Sequence, residues 1–120
     1  MNLLIDIQRS LEKNASNNAF CINNKFYTYR EFSEIISSIR IALQNSNLES
    51  ENNIGLITND DIQTYASIIA LWLEGKAYIP LNPDFPIDRN ISVIKQADIV
   101  SILDSSDNQV FPQFSTLQTK

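Results

Sequence analysis

A chain of 120 residues that is 43% hydrophobic and 19% charged has the make-up of one globular unit, able to bury roughly two-thirds of its unfolded surface without disulfides or metal. The net charge of −5, with no basic cluster, takes away the electrostatic footprint of a nucleic-acid binder. No histidine, one cysteine and two well-separated glycines leave no zinc site, no histidine base and no glycine-rich loop to cradle phosphates.

The longest apolar stretch, Ile68–Leu73, is far below the ~20 residues a membrane span needs. The Met1-Asn2-Leu3-Leu4 start carries no basic region followed by an apolar run, so no secretion signal is expected. The lone Cys21 suits a reducing, cytoplasmic setting.

Leu3, Leu4, Ile7 and Leu11 recur at helical spacing and predict a short amphipathic helix. Ala19–Ile22 reads as a strand, Asn23-Asn24-Lys25 as a tight turn in which asparagine tolerates positive φ, and Phe26-Tyr27 as the returning strand. Thr28-Tyr29-Arg30-Glu31 is a capping box, with Tyr27 and Phe32 placed to form its hydrophobic staple. Behind it Phe32, Ile35, Ile36, Ile39 and Leu43 make one apolar helical stripe.

After the polar connection 45–53, Ile54–Thr58 has the character of a buried strand, and Asn59, Asp60 and Asp61 all offer caps to the next helix. That helix, from about Asp61 to Glu74, carries Ile62, Tyr65, Ala66, Ile69 and Trp72 on one face, widened by Ile68 and Leu71, and Gly75 follows as a left-handed terminator. Ala77–Leu81 is a further strand, stopped by Pro80 and Pro83. Pro86 opens a helix with Ile87, Ile91 and Ile94 on one side, and Ile99–Leu103 is the last strand. Ser105–Lys120 is expected to be loop and frayed end. The alternation predicts an α/β fold: a parallel-strand sheet flanked by helices, plus an N-terminal β-hairpin.

Several residues invite chemistry and are better read as structure. Asp60 and Asp61 suggest a magnesium site, but they lie where a strand gives way to a helix, which favours capping. Tyr65 and Trp72 could be a ligand platform; on so apolar a helix they are expected in the core. Cys21, within a strand, is expected to be a buried thiol. Lys76, just past a helix end, is expected to complement the helix dipole or be solvated. Ser105 and Ser106 have no base to activate them. Arg89 either pairs with Asp84 or Asp88 or reaches toward a further subdomain.

Two stretches carry a family resemblance. Phe26-Tyr27-Thr28-Tyr29-Arg30-Glu31-Phe32 resembles the "LTYxEL" motif that opens the adenylation domains of nonribosomal peptide synthetases. Leu71-Trp72-Leu73-Glu74-Gly75-Lys76-Ala77-Tyr78-Ile79-Pro80-Leu81-Asn82-Pro83 is similar to their "LKAGxAYVPLDP" motif, and Asp84-Phe85-Pro86-Ile87-Asp88-Arg89 to the "xYPxxR" after it. The resemblance covers about residues 15–104 and departs at Asn82 for Asp, at Leu73 and Glu74 for Lys and Ala, and at Asn90 for Leu.

The resemblance implies the adenylate-forming superfamily of acyl-CoA synthetases and adenylation domains. Its members use ATP and magnesium to turn a carboxylic acid into an acyl-adenylate, then pass the acyl group to a CoA or carrier-protein thiol. It also implies that residues 1–120 are a truncated N-terminal part, whose partner is the remainder of the adenylation domain. No family catalytic, cofactor-binding or metal residue has a matching position here, so the chain alone is expected to be an inactive scaffold. Two other readings stand beside it: a freestanding α/β binding or regulatory module, with Asp60, Asp61 and Asp104 forced into a receiver-like scheme, or the complementing half of a split adenylation enzyme.

Overall fold

The computed structural model describes residues 18–22, 24–106, 110–111 and 114–119. The helix expected around Leu3–Leu11 lies outside them. The described elements are β1 (Asn18–Ile22), β2 (Lys25–Thr28), α1 (Tyr29–Gln44), β3 (Asn53–Ile57), α2 (Ile62–Leu73), β4 (Ala77–Leu81), α3 (Ile87–Gln96), β5 (Ser101–Asp104) and β6 (Ser115–Gln118). β1 and β2 pair antiparallel as a hairpin, turning at Asn24 with φ 65°. The remaining strands form one parallel sheet in the order β4-β3-β5-β6.

That order follows from two crossovers in opposite directions. From β3 the chain moves through α2 to β4 on one side, then returns through α3 to β5 on the other. Crossovers of one hand that run in opposite directions put their helices on opposite faces. Ile54 and Leu56 of β3 pack with α1 and α2, in a cluster holding Phe32, Ile36, Ile39, Leu43, Ile62, Ala66, Ala70, Leu71 and Leu103. Ile57 packs the other way, with Leu81, Ile94, Ile99, Ile102 and Phe111. Strands buried on both faces read as unbroken apolar runs, which is how β3 reads.

The capping box is formed as expected. Glu31 N donates to Thr28 Oγ1 at 3.1 Å, and Thr28 N donates to Glu31 Oε1 at 3.0 Å. Tyr27 and Phe32 belong to the same cluster beneath it. α2 and α3 end alike. At α2, Lys76 N donates to Leu71 O (2.8 Å) and Gly75 N to Trp72 O (3.0 Å), with Gly75 at φ +73°. At α3, Ile99 N donates to Ile94 O (3.0 Å) and Asp98 N to Lys95 O (3.3 Å), with Asp98 at φ 52°. Both are Schellman closures, and the second adds the usual apolar partners, since Ile94 and Ile99 share a cluster.

Several expectations are corrected. β4 has the expected bounds, Ala77–Leu81, but Pro80 lies inside it and does not stop it, because among the described residues β4 is an edge strand whose outer side has no strand partner to miss the absent N–H. Tyr65 and Trp72 are not core; each is 39% exposed, and α2 buries Ile62, Thr64, Ala66, Ser67, Ala70 and Leu71 instead. Small residues on that face let α1 and the sheet approach closely, and Ser67 Oγ donates to Gln63 O (2.7 Å), so its hydroxyl is not orphaned. On α3, Ile87 is 58% exposed, while Asn90 is buried beside Ile94. Cys21 is exposed rather than buried. The expected frayed end contains β6, paired in parallel with β5 from Ser101↔Ser115 to Asp104↔Gln118.

The helix ends can be tested one by one. Thr28→Ala should lower stability by about 0.5–2 kcal/mol, read as a shifted urea midpoint. The Glu31 carboxyl is held below its ordinary value of 4.5, chiefly by the hydrogen bond from the Thr28 amide. A depressed folded-state pKa gives stability that is present above the ordinary value and fades as pH falls through the folded one. The midpoint gap between the wild type and Glu31→Gln should therefore narrow between about pH 7 and about pH 3.5. Gly75→Ala, with open space around its Cβ but a left-handed backbone, should cost about 1 kcal/mol, whereas Asp98→Gly should gain about 0.5–1 kcal/mol.

Candidate functional site

In open α/β sheets, ligands gather at the carboxyl ends of strands where the winding reverses direction. Here the reversal lies between β3 and β5, so the place to examine is the pair of segments leaving them: Thr58–Asp61 and Asp104–Ser106. The sequence singled out Asp60, Asp61, Asp104, Ser105 and Ser106; the structure links Asp61, Asp104, Ser105 and Ser106 with Asn59 by hydrogen bonds, and turns Asp60 toward Tyr65.

Asp61 is the cap of α2 that the sequence left open among three candidates. Its Oδ1 accepts from Thr64 N (2.8 Å) and Thr64 Oγ1 (2.7 Å). Its Oδ2 accepts from Ser105 Oγ at 2.5 Å, which ties the start of α2 to the end of β5. Asp104, 1% exposed, folds the next loop around itself. Its Oδ1 accepts from Ser106 N (2.9 Å), Ser106 Oγ (2.6 Å) and Asn59 Nδ2 (3.4 Å), and its Oδ2 from Val110 N (3.3 Å). Asn59 Nδ2 also donates to Ser105 Oγ at 3.0 Å. Asp60 Oδ1 accepts from the Tyr65 hydroxyl (3.1 Å), and that bond, with desolvation and the nearby carboxylates, holds the phenol above its ordinary value.

The cluster is chemically a clasp. Its two inner carboxylates are occupied by backbone amides and hydroxyls, the arrangement that stabilises a buried charge. Ser105 has a carboxylate partner, yet it is 2% exposed and its hydroxyl already bridges Asp61 and Asn59. Among the described residues no three metal-ligating side chains gather as a metal would require. The receiver-like scheme is not favoured, because Asp61 is a helix cap and Asp60 turns toward Tyr65.

The resembling stretch 71–89 shapes the chain around β4. Lys76, expected to complement the helix dipole or be solvated, donates from Nζ to Leu48 O (2.5 Å) and Glu51 O (2.6 Å), closing the connection that precedes β3. Glu74 accepts from Gln44 Nε2 (2.5 Å) and lies 3.7 Å from the Arg40 guanidinium. Lys76, Glu74 and Gln44 rim an open cleft of 450 Å³ at the ends of α1 and α2, lined also by Leu43, Leu48 and Glu49. Asn82 caps the following turn, accepting from Asp84 N (2.9 Å), while its carbonyl accepts from Asn90 Nδ2 (2.8 Å). Asn90, the departure from the family's Leu, thus locks α3 to the proline turn. Arg89, left open between a pairing with Asp84 or Asp88 and a reach toward a further subdomain, lies over the Phe85 ring at 4.2 Å as a cation–π pair. The Asn59–Ser105 bond and the role of Asn90 were missed by the sequence reading. A polar residue interrupting the apolar side of α3 was the available signal for the second.

Comparison with known proteins gives the following. The model of the AMP-binding enzyme family matches residues 7–119. Tyrocidine synthase 2 of Brevibacillus parabrevis is 28% identical over 78 residues, covering 65% of this chain and 2% of that protein. Bacitracin synthase 1 of Bacillus licheniformis is 23% identical over 100 residues, 83% of this chain and 2% of that one. The chain therefore spans about one-fiftieth of the length of these relatives. Among solved structures, the four-domain nonribosomal peptide synthetase holo-AB3403, bound to AMP and glycine, superposes with a TM-score of 0.88 at 24% identity, over 99% of this chain and 9% of that one. The N-terminal subdomain of Klebsiella oxytoca NpsA superposes with a TM-score of 0.78 at 20% identity, over 95% of this chain and 30% of that one.

The clasp makes a prediction of its own. Asp61→Ala removes a helix cap and the acceptor of the buried Ser105 hydroxyl, which keeps only its bond from Asn59, and should cost about 2–3 kcal/mol by urea titration. Asp61→Asn keeps an acceptor oxygen for the α2 amide and should lose about half as much. Equal losses in the two variants would show that capping geometry is not what Asp61 supplies.

Proposed function

Because this chain belongs to the AMP-binding enzyme family, we propose that it is the first part of the N-terminal portion of an adenylation unit and acts there as scaffold. The single observation that carries this reading is the family match over 7–119 on a fold that superposes along 99% of its length with 9% of a nonribosomal peptide synthetase. The complete unit would activate a carboxylic acid as its adenylate and transfer the acyl group to a thiol, on a carrier protein or on CoA. An amino acid is the favoured acid, since the relatives include peptide synthases and a neighbour bound to AMP and glycine.

ATP and magnesium do not fit the residues described here. Adenylate formation needs the ATP phosphates oriented and their charge compensated before a carboxylate attacks in line. At the strand-end crevice the inner carboxylates are committed to amides and hydroxyls, and their charge would repel phosphate. Nucleotide and metal would be held by parts of the unit beyond these residues. What this segment supplies is a rigid sheet with both faces filled and a fixed exit at the carboxyl ends of its strands.

The test is amino-acid-dependent ATP–pyrophosphate exchange. This chain alone should give no exchange and no calorimetric heat with ATP. A polypeptide carrying the rest of an adenylation domain, starting after the segment equivalent to residue 119, should be inactive alone and gain exchange when this chain is added. Exchange by this chain alone would overturn the scaffold reading. A mixture that neither associates nor exchanges would count against complementation in trans.

A further inference from the structure

We draw no further inference here: the strongest candidate, the polar cluster of Asn59, Asp61, Asp104 and Ser105 at the carboxyl ends of β3 and β5, belongs to the site already described, and its hydrogen bonds close on its own members and the adjoining backbone, with no second observation pointing to a ligand.

Discussion

Everything in this fold hangs on β3, a central strand flanked by β4 and β5, with a helix layer on each face. Ile54, Leu56 and Ile57 are at most 1% exposed, and between them Gly55 faces the α3 side without a side chain. A Cβ at Gly55 would stand 3.0 Å from Leu81 Cδ1 and 3.2 Å from both Ile102 Cγ1 and Ile99 Cγ2. The glycine is there because two flanking strands and the α3–β5 connection converge on one spot. Large side chains on β4 and β5 fill the space that β3 leaves, and that interlock fixes the distance between the sheet and α3.

From that strand the rest follows in two directions. On one face the sheet meets α1 and α2, and their close approach requires the small residues Ala66, Ser67 and Ala70 at the buried side of α2. The bulky Tyr65 and Trp72 are thereby turned outward. On the other face α3 is set by its ends as much as by its apolar side. Asn90 hooks it to the Asn82 carbonyl, and Ile99 closes it against Ile94 before β5 begins. Lys76 and Glu74 do the corresponding work below the sheet, joining the end of α2 to the end of α1 and to the loop entering β3.

What the sequence disclosed is what local chemistry decides. The box at Thr28 and Glu31, the terminator at Gly75 and the apolar run of β3 each depend on residues a few positions apart, and each was legible. β6 was not, because Ser115–Gln118 holds a single apolar residue, Leu117, and exists as a strand only through its pairing with β5. The phase of α2 was misread for a related reason. Counting hydrophobicity favours Tyr65 and Trp72, whereas packing favours whichever face lets two helices approach. Pro80 misled because its effect depends on whether the strand is central or at the edge, which only the topology settles. At the candidate site the single residues were visible, but the bond from Ser105 to Asp61 spans 44 positions and no local pattern announces it.

The clasp also bears on what the crevice at the winding reversal is built to hold. A crevice at a winding reversal can receive a ligand only if its polar groups point outward, free to exchange water for substrate. Here Asp61 points into a helix start and Asp104 into its own loop, and both are held by donors that would have to be given up before a ligand could bind. Losing those bonds would uncap α2 and release the path from β5 to β6 together. The same hydrogen bonds that occupy the crevice's polar groups tie together the ends of the two central strands, β3 and β5.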